Sequence, residues 1–110
     1  MKVVRVTEGE TYNALDHYNM WGSKKITEEV SEKTTVSLSH FLPNGGAKMA
    51  SSSRERVYYI ISGSLTVSGE EDEFILNPGD VIYIPAGEKR QVSVNNNEPS
   101  TVMVVVITTT

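Results

Sequence analysis

Short runs of β-branched and aromatic residues, each cut by a glycine, proline or asparagine cluster, recur roughly every ten residues, as in a sheet that folds back on itself many times. Val57 to Ile61 stops at Ser62-Gly63, and Ser64 to Val67 at Ser68-Gly69. Phe74 to Leu76 stops at Asn77-Pro78-Gly79, Val81 to Ile84 at Pro85-Ala86-Gly87, and Gln91 to Val94 at Asn95-Asn96-Asn97. Val3 to Val6 reads as a first short strand. Thr34 to Leu42 alternates Val36, Leu38, His40 and Leu42 against Thr35, Ser37, Ser39 and Phe41, and Pro43-Asn44-Gly45-Gly46 stops it. Thr101 to Ile107 is a continuous apolar run, expected of a strand buried on both faces. About eight strands result, with 57–61 and 64–67 paired as a hairpin. The residue choice agrees, since Val, Ile and Thr fill 31 positions and Leu with Ala only nine. Stiff branched side chains suit a pleated surface better than a helix. The segment from Gly9 to Lys33 departs from the pattern. Its Tyr12, Tyr18 and Trp21 precede a polar stretch without period, and Thr27, Glu28, Glu29 and Ser31 would make a helix with almost no apolar face. It reads as an irregular arm.

A chain of 110 residues fits one domain, 1–110, with a strand and arm over 1–33 and a barrel core over 34–107. Fourteen acidic residues against ten basic ones give a net charge of −4, which recommends neither nucleic acid nor an anionic membrane as a partner. The absence of cysteine excludes disulfides, thiolate metal sites and a cysteine nucleophile. Met1 to Glu10 is too charged for a signal peptide, and no apolar run is long enough to span a bilayer as a helix, so a soluble, cytoplasmic protein is expected. Gly22-Ser23-Lys24 lacks the glycine frame of a phosphate loop, and neither a nucleophile elbow nor a dinucleotide fingerprint occurs.

The run from Gly79 through Pro85 and Gly87 to Arg90 resembles the second motif of the cupin superfamily, where a histidine follows a glycine, a proline and a glycine at this spacing. Pro43, Gly45 and Gly46, with Arg56-Val-Tyr-Tyr-Ile-Ile-Ser-Gly63 closing on a glycine, resemble the first. The resemblance covers about Thr34 to Ile107. It implies an all-β double-stranded β-helix, a jelly-roll-like small barrel with a ligand pocket at one end. Gly63, Gly79 and Gly87 would then permit turns with positive φ.

The family typically holds a divalent metal through two histidines and a glutamate of the first motif and one histidine of the second. Here the paired-histidine positions fall around Met49 to Ser52, the glutamate on Arg56 and the last histidine on Arg90. A guanidinium has no lone pair to donate and stays protonated, so two arginines repel a metal rather than hold one. Glu55 points to the opposite strand face unless a one-residue bulge restores it. No metal and no other cofactor is expected.

His40, which shares a face with Val36, Leu38 and Leu42, reads as a core histidine or a pocket acid/base. Tyr58, two residues after Arg56, would bring a phenol to the same face. These two are the catalytic candidates; Arg56, Arg90, Met49 and Ser51 are the ligand-binding ones. His17, between Asp16 and Tyr18, reads as solvent-facing or as a subunit contact rather than as a catalytic acid or base. The expected function is a metal-independent pocket for a small carboxylate or phosphate, with lyase, isomerase or dehydratase activity. A non-enzymatic sensor would use the same pocket, and a metal-dependent oxygenase or isomerase would need the missing ligands. Alternatively Glu55, Glu88 or Asp16 neutralises the arginines at the rim. A homodimer is expected from the arm's aromatics and from the 101–107 run, which so small a barrel would leave partly uncovered.

Overall fold

The computed structural model describes residues 1–108, which form nine strands and no helix. They are β1 (Glu10–Tyr12), β2 (His17–Ile26), β3 (Thr34–Ala50), β4 (Glu55–Ser62), β5 (Leu65–Ser68), β6 (Glu73–Leu76), β7 (Val81–Ile84), β8 (Arg90–Val94) and β9 (Ser100–Ile107). All pairings are antiparallel. The strand order β6-β5-β8-β3-β9-β4-β7, with β2 against β3 and β1 against β2, rolls into a nearly closed barrel.

The 17-residue β3 organises the barrel. Thr34 to Phe41 pairs with β9, and Gly46 to Ala50 pairs with β8, so one strand serves two sheets. The cluster Pro43-Asn44-Gly45-Gly46 was expected to end this strand and instead bends it from one sheet to the other. Asn44 takes a left-handed φ of 65°, a conformation asparagine tolerates better than most residues.

Three further expectations are corrected. The arm is not irregular, because β2 pairs with β3 from His17↔Ala47 to Ile26↔Val36. Register shifts at Tyr18/Met20 and Lys24/Ile26 erase its period, the first around Asn19 at a φ of 48°. Val3 to Val6 forms no strand; the Lys25 ammonium donates to the carbonyls of Arg5, Val6 and Glu8 and holds this segment as a loop. Strands β4 and β5 are not a hairpin either. At Gly63 (φ 76°) the chain leaves the β4 sheet, and β5 pairs with β6 and β8. The turns at Gly79 and Gly87 do adopt the positive φ expected, 92° and 83°.

The core lies where the two sheets close. Ile60 and Leu65 are fully buried and Val102 nearly so, packed with Phe41, Val67, Leu76, Ile84 and Val92. Burial of each such side chain contributes about 1.5–3 kcal/mol. The buried Ser100 hydroxyl is satisfied by donating to the Ser62 carbonyl at 2.8 Å. Strand β9 is central, yet of its residues only Ser100 and Val102 are buried; Met103 and Val105 on the outer side, and Val104 and Val106 along the cavity, stay partly exposed.

Candidate functional site

Strand registers set the depth of the barrel interior. Thr35, Val106 and Arg56 stand side by side at one level; Ser37, Val104 and Tyr58 form the next, then Ser39, Val102 and Ile60, and finally Phe41 beside Ser100. Exposure falls along this series, from half-buried Thr35 and Arg56 to buried Ser39 and Phe41, so Arg56 lies near the mouth and Phe41 near the floor. Between them is a cavity of about 850 Å³, within the range of roughly 300–1,000 Å³ usual for small-molecule sites. Tyr12 on β1 leans across one wall. Its ring packs over Gly22, where any side chain would collide with it, and its hydroxyl donates to Ser37 Oγ at 3.3 Å.

Arg56 and Arg90 both line this cavity, reaching it from β4 and β8. Arg56 Nη2 donates to Ser52 Oγ at 3.2 Å, and Arg90 Nη1 donates to the Ala50 carbonyl at 3.0 Å. Arg56 Nε is buried with no hydrogen-bond partner. Burial draws the Arg56 guanidinium below its ordinary pKa; Tyr58 opposes that shift and Arg90 adds to it. Among the described residues the ion pairs are Arg54–Glu28 and Lys89–Glu70, and neither involves Arg56 or Arg90. No carboxylate of the described residues pairs directly with either arginine, while Glu10, Asp16, Glu28 and Glu29 line the same cavity. Glu55 instead faces outward, where Tyr83 donates its hydroxyl to Glu55 Oε1; that bond, with burial and the Glu55 charge behind it, raises the Tyr83 pKa.

Tyr58 is buried and lines the cavity one level below Arg56. Ser51 and Ser52 line it at the mouth. Met49 does not. Ala47 pairs with Val92 and Ala50 with Arg90, so β3 carries one extra residue there; the bulge turns Ala50 inward and leaves Met49 exposed. His40 is also misplaced by the sequence reading. It pairs with Trp21 and Thr101 on the outer face, stacks on the Trp21 indole and has Nδ1 3.2 Å from Thr101 Oγ1. The inward face of this strand is the one bearing Thr35, Ser37, Ser39 and Phe41. The side chain that sequence reasoning passed over is His17, which lines the cavity from β2 with its ring over Phe41.

The residues present do not fit the metal that the fold's usual ligand set would hold. The motif resemblance puts guanidinium groups at two of the ligand positions, and no three His, Asp or Glu side chains converge among the described residues. The lining supplies cationic donors, hydroxyls, an imidazole and the carboxylates of Glu10, Asp16, Glu28 and Glu29, groups able to form charge-assisted hydrogen bonds and to move a proton.

Comparison with known proteins agrees with the fold. The family description "Cupin domain" matches residues 37–107. The β-D-galactosidase Rv1717 of Mycobacterium tuberculosis is 27% identical over 108 residues, covering 96% of this chain and 93% of that protein. The polyketide cyclase RemF of Streptomyces resistomycificus superposes with a TM-score of 0.85 at 20% identity, over 97% of this chain and 79% of that one. A predicted oxalate decarboxylase of Thermotoga maritima gives 0.83 at 16% identity, over 98% and 100%. At these identities the two structures speak for the fold alone.

Proposed function

The chain belongs to the cupin family, and from that premise we propose that its barrel binds a small carboxylate or phosphate compound between Arg56 and Arg90 without a metal ion. The observation that carries this reading is the Arg56 guanidinium, whose Nε is buried and unpartnered beside a second arginine, with neither arginine in an ion pair among the described residues although Glu10, Asp16, Glu28 and Glu29 also line the cavity. A buried donor without an acceptor costs about 1–3 kcal/mol, and like charges brought together in a partly desolvated site add to that cost. A bound anion offsets both, because its oxygens accept from the two guanidinium groups at once.

The rest of the lining supports an enzyme of the lyase, isomerase or dehydratase kind acting on a hydroxylated acid. Tyr12, Ser37, Ser39, Ser51, Ser52 and Tyr58 offer hydroxyls around the cavity, and the galactosidase relative is consistent with a sugar-like body for the ligand. Tyr58 is the phenol placed to exchange a proton with a molecule held at Arg56.

The working unit we propose is a homodimer. The outer faces of β2, β3, β9, β4 and β7 present Trp21, Leu38, Met103, Tyr59, Val81 and Tyr83 in adjacent registers. The only carboxylate among them, Glu55 at one edge, is engaged by Tyr83. A second copy applying the same face would cover both. No helix of the described residues is long and apolar enough to cross a membrane, and a cytoplasmic location belongs to the same proposal.

The test is a calorimetric screen of small carboxylates and sugar phosphates against the protein and its Arg90→Ala variant. Binding that the substitution abolishes supports the reading; binding that is indifferent to it refutes the arginine site.

A further inference from the structure

We propose that His17 is the general base of this cavity, acting through Nε2 on a C–H bond next to a carbonyl in an anionic substrate. The inference rests on the anion-binding reading of Arg56 and Arg90 and adds the residue that does chemistry on what they hold.

Three observations place the imidazole. His17 pairs directly with Ala47, which pairs with Val92, and both of those are buried inside the barrel. Directly opposed residues share a sheet face, so the His17 side chain also points inward. Its ring stacks on Phe41 near the floor, with centroids 6.3 Å apart and planes at 20°. The turn that delivers it is pinned, since the Asp16 carbonyl accepts from the Lys48 N–H at 2.8 Å while Asp16 holds a left-handed φ of 59°.

The fourth observation fixes the proton. His17 Nδ1 lies 2.7 Å from the Leu15 carbonyl oxygen. A carbonyl only accepts, so Nδ1 carries the hydrogen and the neutral ring keeps its lone pair on Nε2. No carboxylate among the described residues pairs with this ring.

The spacing to Arg90 suits a small acid. Arg90 is one inward-facing position nearer the mouth than Val92 on β8, and Val92 is level with His17. One such repeat is roughly 7 Å of strand, the reach from a carboxylate or phosphate to a carbon one to three bonds away once the side chains extend. In the step itself the substrate C–H bond breaks and its electron pair stays on the substrate as an enolate. The Nε2 lone pair forms the new N–H bond, giving an imidazolium. The Arg90 guanidinium, one level away, offsets the added negative charge, and return of the proton to the same or the neighbouring carbon completes an exchange or an isomerisation without any outside oxidant.

Two measurements test this. Long-range nitrogen–proton correlation on the labelled protein, with His40→Gln to assign the two rings, should find His17 protonated on Nδ1 and bare at Nε2. A ring protonated on Nε2 overturns the proposal. The second measurement follows solvent deuterium entering pyruvate, 2-oxoglutarate and dihydroxyacetone phosphate, with the binding of each measured in parallel. The wild type should exchange at least one probe that it binds. His17→Asn, which keeps a donor for the Leu15 carbonyl, should bind that probe unchanged and exchange it about 100-fold more slowly or worse. A probe that binds but is not exchanged, or exchange that survives in His17→Asn, removes His17 as the base. If none of the three probes binds, the anion-binding reading itself falls.

Discussion

The His40 imidazole stacks on the Trp21 indole across the β2–β3 pair, with ring centroids 4.2 Å apart and planes at 25°. Burial, with the Lys25 charge behind it, lowers the His40 pKa below its ordinary 6.5. As pH falls, the unfolded chain therefore takes up this proton before the native one does. The stabilisation is fully present above 6.5 and is lost as pH falls through the lowered native value. Urea midpoints measured between about pH 7.5 and pH 5 should decline in the wild type, and more shallowly in His40→Gln, which titrates no group there. Equal slopes in the two proteins would remove His40 as the source.

Replacing Arg56 by methionine should stabilise the empty protein. The substitution removes a buried unpartnered donor and a like-charge neighbour while keeping most of the volume, and the expected gain is about 1 kcal/mol in urea unfolding. A clear loss of stability would mean that Arg56 is satisfied in a way its single bond to Ser52 does not reveal.

Core and surface positions of similar size should separate sharply. Leu65 is fully buried between β6 and β8, and Leu65→Ala should cost about 2–5 kcal/mol. Ile75, on β6 but 66% exposed, should change stability by no more than about 0.5 kcal/mol when replaced by alanine. Comparable losses at both would contradict the placement of the core.

Light scattering should give twice the chain mass of 12.1 kDa at micromolar concentration. Tyr59→Arg, at the centre of the outer apolar face, should return the protein to a monomer without unfolding it. A wild-type monomer rejects the dimer.

The glycine and proline frames made the fold legible in the sequence, because Gly63, Gly79 and Gly87 occupy conformations that other residues strain to adopt. Strand faces were harder. On β3 Leu38 shares the outer face with His40 while the polar set Thr35, Ser37 and Ser39 lines the cavity, so a rule that sends apolar residues inward assigns His40 to the wrong side. A barrel that keeps a polar cavity inverts that rule near its mouth. The bulge that exposes Met49 leaves no local signal, since Lys48-Met49-Ala50 contains neither glycine nor proline. The arginines were legible because their positions follow from the two glycine frames. His17 was not, since its inward aim depends on pairing with Ala47, a residue 30 positions away.

Joint action of Arg56 and Arg90 on one anion is read out by titration calorimetry with inorganic phosphate in the presence of a chelator. Each charge-assisted hydrogen bond contributes about 1.5–3 kcal/mol. Arg56→Met and Arg90→Ala should therefore each weaken binding by roughly 10- to 150-fold, with the double variant losing less than the product of the two because the arginines share one ligand. Phosphate binding that is unchanged in both single variants, or that disappears in the wild type when chelator is added, would contradict the account.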